Sequence, residues 1–188
     1  MGNRCIVLKD IAVIKFGVYV KPVEKGNILY LQAKNYDDLG CLQSTGDAFL
    51  GLDDKNRGHL LQDGDILFVG KGFRNFAWVY QSSIGPAIAS SIFYVIRCNQ
   101  EKVNPSYMAT LFNAQKYQGQ FQNLAAGSSI PSIRKAELEN LIIDLPSLAL
   151  QQKVAEINAL YTEDIKLSNQ VIELKKIVFE NVINRIIK

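Results

Sequence analysis

The sequence predicts an α+β fold: a mixed, mostly antiparallel domain followed by one long C-terminal α-helix. Short apolar runs rich in Ile, Val, Tyr and Phe recur between turn clusters through the first two thirds of the chain. Few helical patterns interrupt those runs, which disfavours a doubly wound parallel sheet. After Pro146 the pattern changes. Residues 148–188 contain neither Gly nor Pro, and their apolar side chains fall on one side of a helical wheel.

The strand-like runs are ILYLQ (28–32), DILFVG (65–70), FAWVYQ (76–81), IASSIFYVIR (88–97) and LIIDLP (141–146), each bounded by Gly, Asp, Asn or Pro. QDGD before Ile66 is a tight-turn signal, with Gly64 able to take positive φ. In IFYVIR, Phe93, Val95 and Arg97 share one face while Ile92, Tyr94 and Ile96 share the other. Such a strand is covered on both sides, and Phe93 is assigned to the core together with Trp78.

Asn104 suits a helix N-cap and Pro105 the first helical position. They open a helix through SYMATLFNAQKYQ, with Met108, Leu111, Phe112 and Gln115 at helical spacing. AAGSSIPS then breaks the chain, and Ser132 can cap IRKAELENL. Ser147 can cap the last helix, which at 1.5 Å per residue would span about 60 Å. Its apolar stripe carries Ile157, Leu160, Leu167, Val171, Leu174 and Val178 along one side. Val154, Tyr161, Ile165, Ile172, Phe179, Ile183 and Ile186 form the other. The whole is about 180° wide, broader than a two-column coiled-coil seam. A helix of this kind needs two partners, its own domain and another long helix. The chain offers no second long helix, so an intermolecular contact is expected.

Composition narrows the function. Hydrophobic residues make up 48% of the 188, enough to bury a core and to exclude wholesale disorder. The N-terminus lacks a long apolar segment with a cleavage site, no run of about 18 apolar residues exists, and MGNRCI lacks the Ser or Thr of a myristoylation signal. A cytoplasmic protein with no membrane partner is expected. Cys5, Cys41 and Cys98 are odd in number and far apart, which points to reduced thiols and away from a disulfide frame or metal site. His59, the only histidine, reads as a surface residue. No catalytic residue and no cofactor are assigned.

Charge is unevenly spread. Residues 66–136 hold seven basic side chains and one acid, whereas the flanking segments are slightly acidic. Such clustering is the electrostatic footprint of nucleic-acid binding.

Two stretches touch on enzyme chemistry. NPSYMATLF (104–112) resembles the Asn/Asp-Pro-Pro-Tyr/Phe signature of amine-modifying DNA methyltransferases, and FVGKGF (68–73) resembles their cofactor loop. Ser106 replaces the second proline, however, and FVGKGF leads into another strand-like run where a cofactor loop needs a helix. A small DNA adenine methyltransferase, or a fragment of one, is the alternative reading. No G-x-x-x-x-G-K-[ST] phosphate loop exists. DDKNRG (53–58) starts like a calcium loop but places Lys55 and Arg57 where oxygen ligands are required.

The most specific stretch is GSSIPSIRKAELENLIIDLPSLALQQKVAEI (127–157). Leu138, the run from Leu141 to Leu145, Pro146, Leu148, Gln151, Gln152, Val154 and Ala155 resemble the junction in the specificity (S) subunits of type I restriction-modification systems. There a target-recognition domain passes through a strand and Pro into a long helix opened by Leu-x-x-Gln-Gln. LKDIAVIKFG, YLQAKNY, DGDILFVGKG and AIASSIFYVIR are similar to the same family. One departure is Ala149-Leu150, where the family usually shows a polar or acidic residue.

The resemblance implies a non-catalytic subunit that binds double-stranded DNA and positions modification (methyltransferase) subunits. A restriction (endonuclease) subunit joins when cleavage is required. It further implies a half-size form: residues 1–146 as one target-recognition domain and 147–188 as one helix for dimerisation and spacing. A homodimer through Leu160, Leu167, Val171, Leu174, Val178 and Ile186 would follow, with a palindromic bipartite target.

Base contacts are not carried by any motif, so the charge map supplies the candidates. Lys71, Arg74 and Asn75 lie in a glycine-flanked turn able to enter a groove, where Arg or Lys reads guanine and Asn reads adenine. Lys116, Gln118, Arg134 and Lys135 are candidates for phosphate contacts.

Overall fold

The computed structural model describes residues 4–37, 40–44, 48–51, 56–125 and 130–187. Its strands are β1 (Arg4–Val7), β2 (Ala12–Phe16), β3 (Ile28–Leu31), β4 (Phe49–Leu50), β5 (Ile66–Val69), β6 (Ala77–Val79), β7 (Ala87–Ala89), β8 (Phe93–Cys98) and β9 (Ile142–Leu145). The helices are α1 (Pro105–Asn113), α2 (Gln115–Leu124), α3 (Lys135–Glu139) and α4 (Leu148–Ile186).

The central sheet has the order β2-β8-β5-β6 and is antiparallel throughout. A second sheet, β4-β3-β7, contains the single parallel pairing among the named strands, β3 with β7. β1 and β9 form an antiparallel ribbon running from Arg4 opposite Leu145 to Val7 opposite Ile142. The fold is therefore the mixed, mostly antiparallel α+β arrangement followed by a long helix. Among the described residues no helix is both long and apolar enough to cross a membrane.

Every residue of β5 is buried, which explains its unbroken apolar run. Ile66 and Phe68 face a cluster with Met108, Phe112, Tyr117 and Phe121 from α1 and α2. Phe68 meets Phe112 and Phe121 with ring centroids 5.3 and 4.7 Å away. Leu67 and Val69 point the opposite way, into a cluster with Leu29, Leu31, Ala87 and Phe93. Helices thus cover one face of the central sheet and the β4-β3-β7 sheet covers the other. Phe93 is fully buried as expected, while Trp78 is half-buried at the edge of the second cluster.

Several boundaries differ from the sequence reading. IASSIFYVIR forms two strands, because the chain leaves the smaller sheet at Ser90 and enters the central one at Phe93. SYMATLFNAQKYQ forms two helices. The break at Ala114 (φ −72°, ψ 145°) follows Asn113, whose side chain accepts from the Ala77 N–H at 2.8 Å and donates to its carbonyl at 2.9 Å. That amide satisfies the open edge of β6 as a neighbouring strand would.

Ser132 does not cap a helix. α3 starts at Lys135, and its N-cap residue Arg134 donates its backbone N–H to the Glu137 carboxylate at 2.9 Å. Ser147 does hold the N-cap position of α4, without a side-chain capping bond. Strands β1, β2 and β4 have no counterpart among the runs read as strands. The acidic start of DDKNRG, residues 53–55, and residues 127–129 of the junction lie outside the described residues.

Candidate nucleic-acid interface and the root of the long helix

The turn between β5 and β6 is built on two glycines with different requirements. A Cβ on Gly70 would lie 2.3 Å from Cε2 of the buried Tyr94 ring, so only glycine lets the ring pack there. Gly72 has φ +98°, a backbone conformation that disfavours other residues. These constraints explain FVGKGF structurally, and the turn leads into β6, not into the helix a cofactor loop requires.

Backbone pairing fastens this turn to the segment before α3. Gly72 donates to the Pro131 carbonyl at 2.8 Å, Ile133 donates to Gly70 at 2.9 Å, and Lys71 and Ser132 form a β-bridge. The Tyr94 hydroxyl adds a bond to the Ile133 carbonyl at 2.7 Å. Lys71, Arg74 and Arg134 are exposed around this seam, and Lys135 lies just beyond it, paired with Glu139 at 3.3 Å. The Arg74 guanidinium sits 4.8 Å from the Phe76 ring centroid. Asn75 donates its side-chain amide to the Val69 carbonyl at 2.7 Å, so that nitrogen secures the turn. Residues 66–100 contain no acid.

The remaining candidates lie elsewhere. Lys116 pairs with Asp144 of β9 at 2.5 Å. The hydrogen bond from Lys116 holds the Asp144 carboxyl below its ordinary value and raises the Lys116 amine above its own. Gln118 donates to the Phe112 carbonyl at 2.6 Å, within the helical layer. Arg97, one of the seven basic residues of the central stretch, makes two 2.7 Å bonds to Asp65, whose side chain is 1% exposed. That bidentate hydrogen bonding raises the pKa of Arg97 and ties its charge to the sheet.

The cysteines are free thiols at separate places: Cys5 exposed, Cys41 half-buried and Cys98 buried. Burial, with a smaller contribution from Asp65, pushes the Cys98 thiol up to about 12.

The Gln-Gln pair fastens α4 to the domain. Gln151 is completely buried; its Nε2 donates to the carbonyls of Lys102 (3.1 Å) and Pro146 (2.9 Å), and its Oε1 accepts from the Asn104 N–H (2.8 Å). Gln152 accepts from the Asn104 side chain at 2.8 Å. Asn104 also caps α1 through a bond from the Tyr107 N–H at 3.1 Å, and the Tyr107 hydroxyl donates to the Asp144 carbonyl at 2.7 Å. Burial pushes that hydroxyl up to about 12. The tetrapeptide NPSY thus caps one helix and seats another.

Gln151, Val154, Ala155, Asn158, Thr162 and Ile165 line the domain-facing side of α4, and from Lys166 onward every described residue of the helix is exposed. Leu160, Leu167, Val171, Leu174, Val178 and Ile186 are all exposed, Leu174 at 61%. Val171, Leu174, Val178, Phe179 and Val182 form an exposed apolar patch on α4 beside Lys175. The sequence reading located these side chains but missed the burial of Gln151, although Gln151 belongs to the stretch that carries the family resemblance.

The chain thus combines an antiparallel-rich domain carrying a basic, glycine-built turn with a long helix rooted at a Pro-to-Gln-Gln junction. Residues 23–176 match the model of the type I restriction modification DNA specificity domain, and the chain belongs to that family. Its fold is similar to the type I restriction-modification system S subunit from M. genitalium, with TM-score 0.62 and 15% identity over 91% of this chain and 42% of that one. It is also similar to the HsdS subunit from Thermoanaerobacter tengcongensis, with TM-score 0.59 and 15% identity over 88% of this chain and 38% of that one. A third similar chain comes from a structure described as the basis of complex assembly and conformational transition of the type I R-M system. There the TM-score is 0.58 at 16% identity, over 88% of this chain and 39% of the other. At these identities the likeness is one of fold, and this chain spans about two fifths of the length of each. No curated protein matches it.

Proposed function

We propose that this chain is a non-catalytic sequence-reading subunit of a type I restriction-modification system. Residues 1–146 act as a recognition domain that reads one half-site of double-stranded DNA. Residues 147–188 join two copies as a homodimer and set the distance between half-sites. The dimer positions modification (methyltransferase) subunits, and a restriction (endonuclease) subunit joins for cleavage. Two-fold symmetry then requires a palindromic bipartite target.

The observation that carries this reading is the rooted helix. Buried Gln151 fixes its base to the domain, while the apolar stripe beyond Ile165 stays exposed in the single chain. A rigidly rooted helix with an uncovered stripe can transmit a spacing between two recognition domains, which a flexible linker cannot. Lys71, Arg74, Arg134 and Lys135 form the DNA-facing cluster, with Asn75 securing their turn. Lys116, paired with Asp144 but still largely exposed, and Gln118, which donates to the Phe112 carbonyl, are the further candidates for phosphate contacts.

Equilibrium sedimentation and gel-shift titration of the purified chain over a range of salt test the reading. A dimer should bind one duplex sequence in preference to others, with the logarithm of affinity falling linearly with the logarithm of salt. The K71A/R74A/R134A variant should bind more weakly and with a shallower salt slope, by about 0.9 for each phosphate it no longer neutralises. Methyl transfer by the chain alone would overturn the reading in favour of a free-standing methyltransferase.

A further inference from the structure

Phe73, at the tip of the turn between β5 and β6, is 87% exposed. In the recognition domain only Tyr19 is more exposed among the large hydrophobic side chains described, and Tyr19 carries a hydroxyl that water can satisfy. The Phe73 ring has no such group.

The turn is also fixed in place. Gly72 on one side donates to Pro131 at 2.8 Å, and Asn75 on the other donates to Val69 at 2.7 Å. Val69 further donates to Phe76 at 2.9 Å across the base of the turn. A loop held in this way presents its tip with little ordering left to lose on binding.

The surroundings indicate what the ring meets. Lys71 and Arg74 flank it in the turn and are exposed, and exposed Arg134 follows on the paired segment beyond the Lys71–Ser132 bridge. The register of that bridge runs Phe73 toward Ile130, the one other large apolar side chain exposed on the paired segment among the described residues. An apolar surface this small, a ring and one aliphatic side chain flanked by cations, does not suit a broad apolar protein interface. It suits a partner with an anionic exterior and an apolar interior reached through a narrow opening, as in a DNA duplex with phosphates outside and stacked bases within.

Building on the DNA-reading function above, we propose that Phe73 is a wedge. Its ring enters between two adjacent base pairs and partly unstacks that step, while the neighbouring cations hold the flanking phosphates. Part of the specificity then comes from deformability, because pyrimidine–purine steps open more easily than others.

The test starts from a random-sequence duplex library enriched by gel shift with the wild-type chain. The enriched duplex is made with 2-aminopurine at successive positions, and its fluorescence, which rises on unstacking, is read with wild type, F73A and F73W. Wild type should brighten one position in each half-site. F73A should lose that signal, bind about 5- to 100-fold more weakly and tolerate more base pairs at that step. F73W should restore all three properties, and thermal unfolding of F73A should match wild type because the ring lies almost wholly in solvent. A uniformly dark duplex with wild type, or F73A binding with unchanged affinity and preference, overturns the wedge while leaving the DNA-reading function standing. Loss of modification-subunit capture by F73A with unchanged DNA binding would also overturn it, in favour of a protein contact. Failure of the wild-type chain to enrich any sequence overturns the DNA-reading function and the wedge with it.

Discussion

Replacing Gln151 with Leu keeps the side chain's bulk at the root of α4 and removes its three side-chain hydrogen bonds. Gln151 makes three bonds to backbone groups, at 3.1, 2.9 and 2.8 Å, from a fully buried position. The variant leaves the Asn104 N–H and the carbonyls of Lys102 and Pro146 without that partner. At about 1 kcal/mol per net hydrogen bond, and more where a buried group stays unsatisfied, the loss is about 2–5 kcal/mol. For a chain of this size that corresponds to a fall in Tm of roughly 5–15 °C.

Gln151→Glu sharpens the test. It keeps an acceptor for the Asn104 N–H but aims a carboxylate at two carbonyls, so it should be destabilised at neutral pH and recover as the carboxyl protonates. Equilibrium urea unfolding with amide exchange at Asn104 would read both effects. A Q151L protein within about 0.5 kcal/mol of wild type, with Asn104 still protected, would refute the idea that this side chain seats the helix.

Three further predictions concern the turn, the ribbon and the helix. Gly70→Ala places a Cβ 2.3 Å from the Tyr94 ring and should cost about 1–3 kcal/mol in urea unfolding, partly recovered when Tyr94 is shortened to Leu. Lys116 lowers the pKa of Asp144, so their pair stabilises the fold above the ordinary carboxylate value and loses that contribution as pH falls through the lowered one. Below about pH 4, wild type should therefore lose stability more steeply than D144N, as acid titration of unfolding would show. Leu174→Glu places a charge on the exposed stripe and should raise the dimer dissociation constant at least 100-fold in sedimentation, with recognition-domain stability unchanged.

What the sequence revealed follows how local each determinant is. β5 and α4 were legible because an unbroken apolar run and a long stretch without Gly or Pro depend on neighbours in sequence. β1 was not, because RCIV acquires its partner from β9 at the other end of the domain. β2 was recognised only as a fragment resembling the family, since its buried residues are confined to Ala12 and Ile14.

The candidate interface divides similarly. Charge alone selected Lys71 and Arg134, but their proximity comes from the bridge between Lys71 and Ser132, which no local pattern encodes. Charge alone also selected Lys116, whose partner on β9 is equally remote in sequence. Gln151 escaped because glutamine is usually a surface residue, and only its three backbone partners make burial tolerable. Phe73 escaped because an aromatic in an apolar-rich stretch reads as core until the turn geometry exposes it.

Methylome sequencing of cells with and without the gene bears most directly on the central claim, that this chain directs where a partner's methylation falls. Methylation should disappear from one palindromic bipartite motif on deletion and return with the wild-type gene, but only weakly with K71A/R74A/R134A. An unchanged set of methylated motifs after deletion would contradict the account.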